Sequence, residues 1–220
     1  MGDFNRPVTQ DRPFSHEGTC PSNWKPLYRG NDVTRYQLAK PKEFVNYGSW
    51  LAAPRSPELF ASPKILMRRT DDRLLSCMET ESAICVNSCH VIKLNEMNVS
   101  CQYLLGILNS KLTQRIFEIQ NPQMVGKVFA EIKVVYVERL PIRVIDFSNS
   151  SDKSRHDRMV ALVDQMLDLH KKLAAVKTDH ERTLLERQIS ATDRDIDRLV
   201  YDLYGLTEEE IHIVEAGKEV

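Results

Sequence analysis

Glycine, proline and long apolar runs are all scarce in this sequence. Eight glycines and ten prolines in 220 residues leave no room for a collagen-like or low-complexity chain. No uncharged apolar run approaches the ~20 residues that a membrane-spanning helix requires. The five cysteines are odd in number and lack framework spacing, so they read as reduced thiols and not as a disulfide scaffold. The opening MGDFNRPVTQDRPF has no apolar core of a secretory signal, and a cytoplasmic location is expected. Charge of either sign is missing in the sum, which is -1. That sum hides an asymmetry: residues 24–143 hold 17 Lys/Arg against 11 Asp/Glu, net +6, whereas residues 152–220 hold 11 against 16, net -5. With 42% apolar residues, the chain has enough hydrophobic matter for a sizeable core.

Three regions follow from texture. Residues 1–23, with three prolines and almost no apolar periodicity, read as a linker or domain-boundary remnant. Residues 24–147 read as a mixed α+β domain. WKPLYRGNDVTRYQL and WLAAP predict short strands joined by turns, and 64–75 and 82–94 predict an antiparallel pair connected by the polar METE stretch. The apolar spacing of 100–119 predicts a helix ended by Asn121-Pro122, and IKVVYV at 132–137 predicts a return to strand. SNSSDKS at 148–154 marks a boundary. Beyond it, over 152–220, Leu162, Met166, Leu169, Leu173 and Val176, then Leu185, Ile189, Thr192, Ile196, Leu199 and Leu203, alternate in steps of 4 and 3. This spacing predicts a long antiparallel helical hairpin, with arms of about 22 residues and about 33 Å. Gly205 serves as a C-terminal stop, and Thr207 to Glu210 form a capping box that opens a last short helix. Leu167, Leu184 and Val200 lie off the seam, where they either form an outer apolar stripe for a partner or dimer or, the favoured reading, complete the hairpin's core or pack on the first domain.

Motifs of catalysis are largely missing: there is no glycine-rich phosphate loop, GxSxG, HExxH or EF-hand loop. Cys85, Cys89 and His90 invite a zinc reading, but in a continuous strand over 83–94 the two cysteines would stand ~13 Å apart, so no metal site is assigned. Glu131-Ile132-Lys133 is the nearest approach to a metal-dependent nuclease, with Pro57-Glu58 as the nearest upstream acidic candidate. His90, His156 and His170 form no triad pattern, and Met159 and Met166 sit at core spacing. The densest feature is cationic. Lys64, Arg68, Arg69 and Arg73 place four positive charges in ten residues, suited to phosphate neutralisation. Base reading calls for forked Arg donors and Asn or Gln amides. Lys25, Arg29, Asn31, Arg35, Asn87 and Ser88 complete the candidate DNA-binding set.

Taken in order, WKPLYRGNDVTRY, PKILMRRT, YLLGILNSKL, RLPI and DRLVYDLYGLTEEEI resemble the TaqI-like C-terminal specificity domain found downstream of adenine-N6 DNA methyltransferases, including fused type IIG restriction-modification enzymes. The resemblance covers roughly residues 23–215. It implies a non-catalytic target-recognition domain that binds double-stranded DNA for a methyltransferase domain or subunit, either fused upstream or separate. It also implies a helical pair similar to the spacer helices of type I specificity subunits. Arg29-Gly30-Asn31-Asp32 matches the family's Arg/Lys-Gly-Lys-Asp turn, with Asn31 in place of Lys, and Arg68 and Arg69 match its basic strand. The sequence has no Asn-Pro-Pro-Tyr or Asp-Pro-Pro-Tyr motif and no glycine motif for S-adenosylmethionine, so that cofactor is expected only in the methyltransferase. Two other readings stay open: a nuclease using Glu131 and Lys133, and a protein-interaction module acting through the hairpin.

Overall fold

A computed structural model describes residues 14–15, 20, 22–94, 99–127 and 129–217; most of the linker expected over 1–23 lies outside the described residues. The strands are β1 (Phe14–Ser15), β2 (Lys25–Tyr28), β3 (Val33–Thr34), β4 (Gln37–Leu38), β5 (Glu43–Val45), β6 (Lys64–Arg68), β7 (Ser76–Glu79), β8 (Ile84–Cys85) and β9 (Cys89–Ile92). The helices are α1 (Cys101–Leu108), α2 (Lys111–Gln120), α3 (Val134–Val137), α4 (Ser150–Ala175), α5 (Asp179–Tyr204) and α6 (Glu208–Glu215). The class is α+β, with the helical hairpin at the C-terminal side.

Strand β6 is the structural axis. It pairs antiparallel with β7 on one side and with β9 on the other, while β1, β5, β2 and β8 form a second sheet in that order. Ile65 and Met67 point into a core shared with the helices, and Leu66 points into a second core with Leu27, Phe60, Ile84 and Val86. Both faces of β6 are therefore buried, which is why KILM is continuously apolar after its first residue and does not alternate. Asn109 extends this sheet with its side chain: its amide accepts from Ser76 N at 3.1 Å and donates to Ser76 O at 2.9 Å, as a neighbouring strand would.

Helix α1 is buried almost all round, and Gly106 lets it approach α4 closely. A Cβ there would lie 2.5 Å from Met159 Sδ and 3.1 Å from Val163. Helices α4 and α5 have 26 residues each, about 39 Å at 1.5 Å per residue. Met159, Val163 and Met166 meet Ile196, Leu199, Val200 and Leu203 in the same core as α1. The caps follow the sequence: Asn149 accepts from Ser151 and Asp152 N–H, Thr178 accepts from Glu181 N–H, Gly205 adopts φ +67°, and Thr207 and Glu210 cap each other.

Several expectations are corrected. The single helix over 100–119 is two, α1 and α2, because Ser110 starts a new cap by accepting from Thr113 N–H. IKVVYV is not a strand: Val134–Val137 makes one helical turn, its β-branched propensity overridden by packing of Tyr136 and Val137 on the main core. METE is not a connector, since Met78 and Glu79 belong to β7. The 83–94 run is not one strand either. Residues 84–85 join β2 in parallel and 89–92 join β6. The reversal between them brings the Cys85 and Cys89 thiols into hydrogen-bond contact, which together with burial pushes the Cys89 thiol up. The 13 Å separation argument therefore fails, although among the described residues no three His, Cys, Asp or Glu gather as metal ligands. SNSSDKS, where the boundary is expected, supplies the cap and first turn of α4. Of the off-seam residues, Val200 is in the core and Leu167 packs against it, whereas Leu184 is 51% exposed.

Candidate nucleic-acid interface

The C-terminal ends of β2 and β6 and the reversal between β8 and β9 converge. Residues 29–32 form a turn after β2, with Arg29 capping the one-turn 3-10 segment Gly30–Asp32. Its Gly30 N–H donates to Ser88 Oγ at 2.9 Å, and a Cβ on Gly30 would sit 2.7 Å from Ser88 O. Only glycine allows this contact without displacing backbone. Arg69, the residue after β6, binds the same reversal: its N–H donates to Ser88 O at 3.0 Å and its Nη1 to Asn87 O at 3.0 Å. Residues 130–132 close the other side, where Asp71 N–H donates to Ala130 O at 2.9 Å and Ile132 N–H to Arg69 O at 2.8 Å. His90 Nε2 donates to Ile132 O at 2.6 Å, tying this segment to β9.

Six of the ten candidates thus share one end of the sheets: Arg29, Asn31, Arg68, Arg69, Asn87 and Ser88. Asn31 and Asn87 are exposed. The cations carry partners. Arg29 is bidentate on Glu43, with Nε to Oε1 at 2.9 Å and Nη2 to Oε2 at 2.7 Å. Arg68 Nε donates to Thr70 O at 3.0 Å and its Nη1 lies 3.4 Å from Asp71. Arg69 Nε donates to Glu131 at 3.1 Å, with Nη2 closer still. Arg73 is exposed and stands 3.9 to 4.0 Å from Asp71 and Asp72. The Arg69 guanidinium, by hydrogen bond and charge, holds the Glu131 carboxyl below the usual range. Such solvent-facing pairs add little to stability, so their main effect is to set shape.

Besides Arg73, which follows the end of β6 beside Asp71 and Asp72, three candidates lie elsewhere. Lys25 is at the opposite end of β2. Lys64 is fully buried, donating to Phe60 O at 2.8 Å and pairing with Glu79; in sequence it belongs to the basic run, but its position at the start of β6 puts it inside the protein, where it cannot meet a phosphate. Burial alone would raise the Glu79 carboxyl, yet donors from Lys64, Glu81 N–H and Ser62 hold it low. Arg35 faces the hairpin, bidentate on Asp193 at 2.7 and 3.0 Å and donating to Asn109 O at 2.7 Å. It fastens α5 to the first domain.

Sequence reasoning missed Lys127 as a member of this surface and met Lys133 only as part of a nuclease pair. Both are exposed, lie beside the 130–132 segment, and have no carboxylate partner within salt-bridge range among the described residues. Only the non-local pairing of Thr70 with Glu131 brings them to the end of β6. Glu131 itself is engaged by Arg69, and Glu58 shares no close contact with it in any hydrogen bond or ion pair among the described residues.

No curated protein sequence matches the chain. Among solved structures, the type IIL restriction-modification enzyme MmeI in complex with DNA matches with a TM-score of 0.54 at 10% identity, over 97% of this chain and 36% of that one. The likeness concerns the fold, and this chain spans about a third of that protein's length. The family model of the TaqI-like C-terminal specificity domain matches residues 25–142, from β2 through the Leu140–Ile142 segment, and so takes in every strand and turn of the surface described above. By that match the chain belongs to the TaqI-like C-terminal specificity domain family.

Proposed function

We propose that this chain is a sequence-specific DNA-recognition domain of a restriction-modification system, non-catalytic itself, that serves an adenine-N6 methyltransferase fused upstream or encoded separately. The observation that carries this reading is the convergence of the 29–32 turn, the end of β6 and the 86–88 reversal. It presents two exposed asparagine amides, Asn31 and Asn87, within a frame of arginines. Asparagine amides match the adenine edge in the major groove, and guanidinium and ammonium groups match phosphate oxygens. S-adenosylmethionine would be held by the methyltransferase, and the setting would be the cytoplasm. No described helix is long and apolar enough to cross a membrane.

The hairpin supplies the second half of the reading. Its base is locked into the domain by Arg35 and by Lys111 N–H, which donates to Asp197 at 2.9 Å. Its far end carries exposed Leu184 and half-buried Leu173, Val176 and Leu185, a surface suited to a protein partner such as the methyltransferase.

The test is binding of the chain to a mixed-sequence duplex between 50 and 200 mM salt, followed by selection from a randomised duplex pool. Affinity should fall as salt rises, by ~0.9 log units per log unit of salt for each phosphate contact, and the pool should converge on one sequence. Absence of binding at ~50 mM salt, where phosphate contacts are strongest, would sink the reading.

A further inference from the structure

A carboxylate in the middle of a surface meant for phosphates is an electrostatic liability, yet Glu131 sits in the proposed interface, half-exposed and against Arg69. Its position is explained by what Arg69 does. The Arg69 backbone is bracketed between two segments, donating to Ser88 O at 3.0 Å and accepting from Ile132 N–H at 2.8 Å. Its side chain repeats the same bridge one layer out, reaching Asn87 O at 3.0 Å and Glu131. Arg69 therefore joins the 86–88 reversal to the 130–132 segment twice. The bonded atom at the reversal is the carbonyl oxygen of Asn87, itself an exposed residue. The planar guanidinium fork can satisfy both partners at once in a fixed geometry, which an ammonium cannot.

We propose that Arg69 and Glu131 are positioning residues for the Asn87–Ser88 reversal. Glu131 orients the Arg69 guanidinium, Arg69 fixes the Asn87 carbonyl, and the Asn87 amide is thereby presented to a base edge at a set angle. This rests on the DNA-recognition reading and adds to it a division of labour. Arg69, assigned to phosphate contact by sequence, holds the reading residue in place, and the acidic Glu131 favours selective binding although it disfavours the phosphates.

The two roles predict effects of opposite sign, so one experiment separates them. The full chain, as wild type, Glu131→Gln, Arg69→Lys and Asn87→Ala, is titrated with the duplex that the wild type selects from a randomised pool and with a mixed-sequence duplex. The readout is the ratio of the two affinities, with melting temperature as a check on folding. For a positioning role, Glu131→Gln, Arg69→Lys and Asn87→Ala each lower the ratio about tenfold, in keeping with loss of one oriented amide-to-base contact. Glu131→Gln leaves mixed-sequence binding unchanged or tighter, because a negative charge has gone. Arg69→Lys does not rescue the ratio although it keeps the charge. If Glu131→Gln or Arg69→Lys instead retains the full wild-type ratio, the positioning role is overturned while DNA recognition stands. If the wild type selects no sequence at all, the recognition reading falls and this one with it.

Discussion

The two ends of strand β6 hold the same chemistry in different surroundings. At its start, Lys64 faces Glu79 with side-chain exposures of 0% and 2%; just past its end, Arg69 faces Glu131 at 28% and 50%. Both are one cation against one carboxylate. Inside, neither group has water to fall back on, so each depends on the other and on the hydrogen bonds from Ser62 and to Phe60 O. Outside, water competes for both, the attraction is screened, and the pair is left to shape a surface. Proximity of opposite charges therefore does not by itself report stability; the surrounding dielectric decides what the pair does.

The buried end gives the largest expected effect. Lys64→Met leaves Glu79 as an uncompensated buried carboxylate and should destabilise the fold by about 3–5 kcal/mol. Adding Glu79→Leu should recover much of this loss, and chemical denaturation of the single and double variants measures both. Equal stability of Lys64→Met and wild type would show that the pair is not buried as described.

Between the two extremes lies the base of the hairpin. Burial raises the Asp197 carboxyl from its ordinary 3.8 to about 7, and its Oδ2 meets no donor among the described residues. The folded protein thus keeps a proton that the unfolded chain has released between about pH 4 and 7. The associated stability is present at low pH and is lost as pH rises through about 7. Asp197→Asn retains an acceptor for Lys111 N–H without the charge. It should be more stable than wild type at pH 8, by up to about 4 kcal/mol at 1.36 kcal/mol per unit, and equal to it near pH 4. Melting curves of the two proteins across that range decide the matter.

Arg35 is about a third exposed, so screening moderates its contribution. Arg35→Ala should cost about 1–2 kcal/mol, and hydrogen exchange should show the first turns of contact between α5 and residues 35–36 loosening before the β6 core. The smallest stability change is expected at the open end of β6, where Glu131→Gln and Arg69→Ala should leave unfolding close to that of the wild type. A loss there as large as that of Lys64→Met would erase the distinction between the two ends.

Much of the helical half was legible because its signals are local. The 3 and 4 spacing from Leu162 to Leu203 is set within single helices, and Thr207, Glu210 and Gly205 cap residues a few positions away. The β half was less so. Nothing near Cys85 in sequence says that β8 leaves to pair with β2, 57 residues earlier at Leu27 and Ile84, so 83–94 read as one strand. IKVVYV has strand composition, but its place is decided by the Thr70 to Glu131 bridge before it and the packing of Tyr136 after it. In the candidate interface, Arg29, Asn31, Arg68, Arg69, Asn87 and Ser88 were chosen by residue type and do come together, while Lys64, Arg35 and Lys25 were of the same types and do not.

What the sequence by itself determined was the order of the elements on the helical side, their caps, and the runs that mark the TaqI-like specificity family. These depend on residue type and short spacing, which the chain carries wherever it folds. Which cations face solvent, which carboxylate each one meets and which asparagines stand exposed were decided only by tertiary structure. A charge's effect depends on the water and partners around it, and these can come from far along the chain: Glu79 beside Lys64 is 15 residues away and Asp193 beside Arg35 is 158.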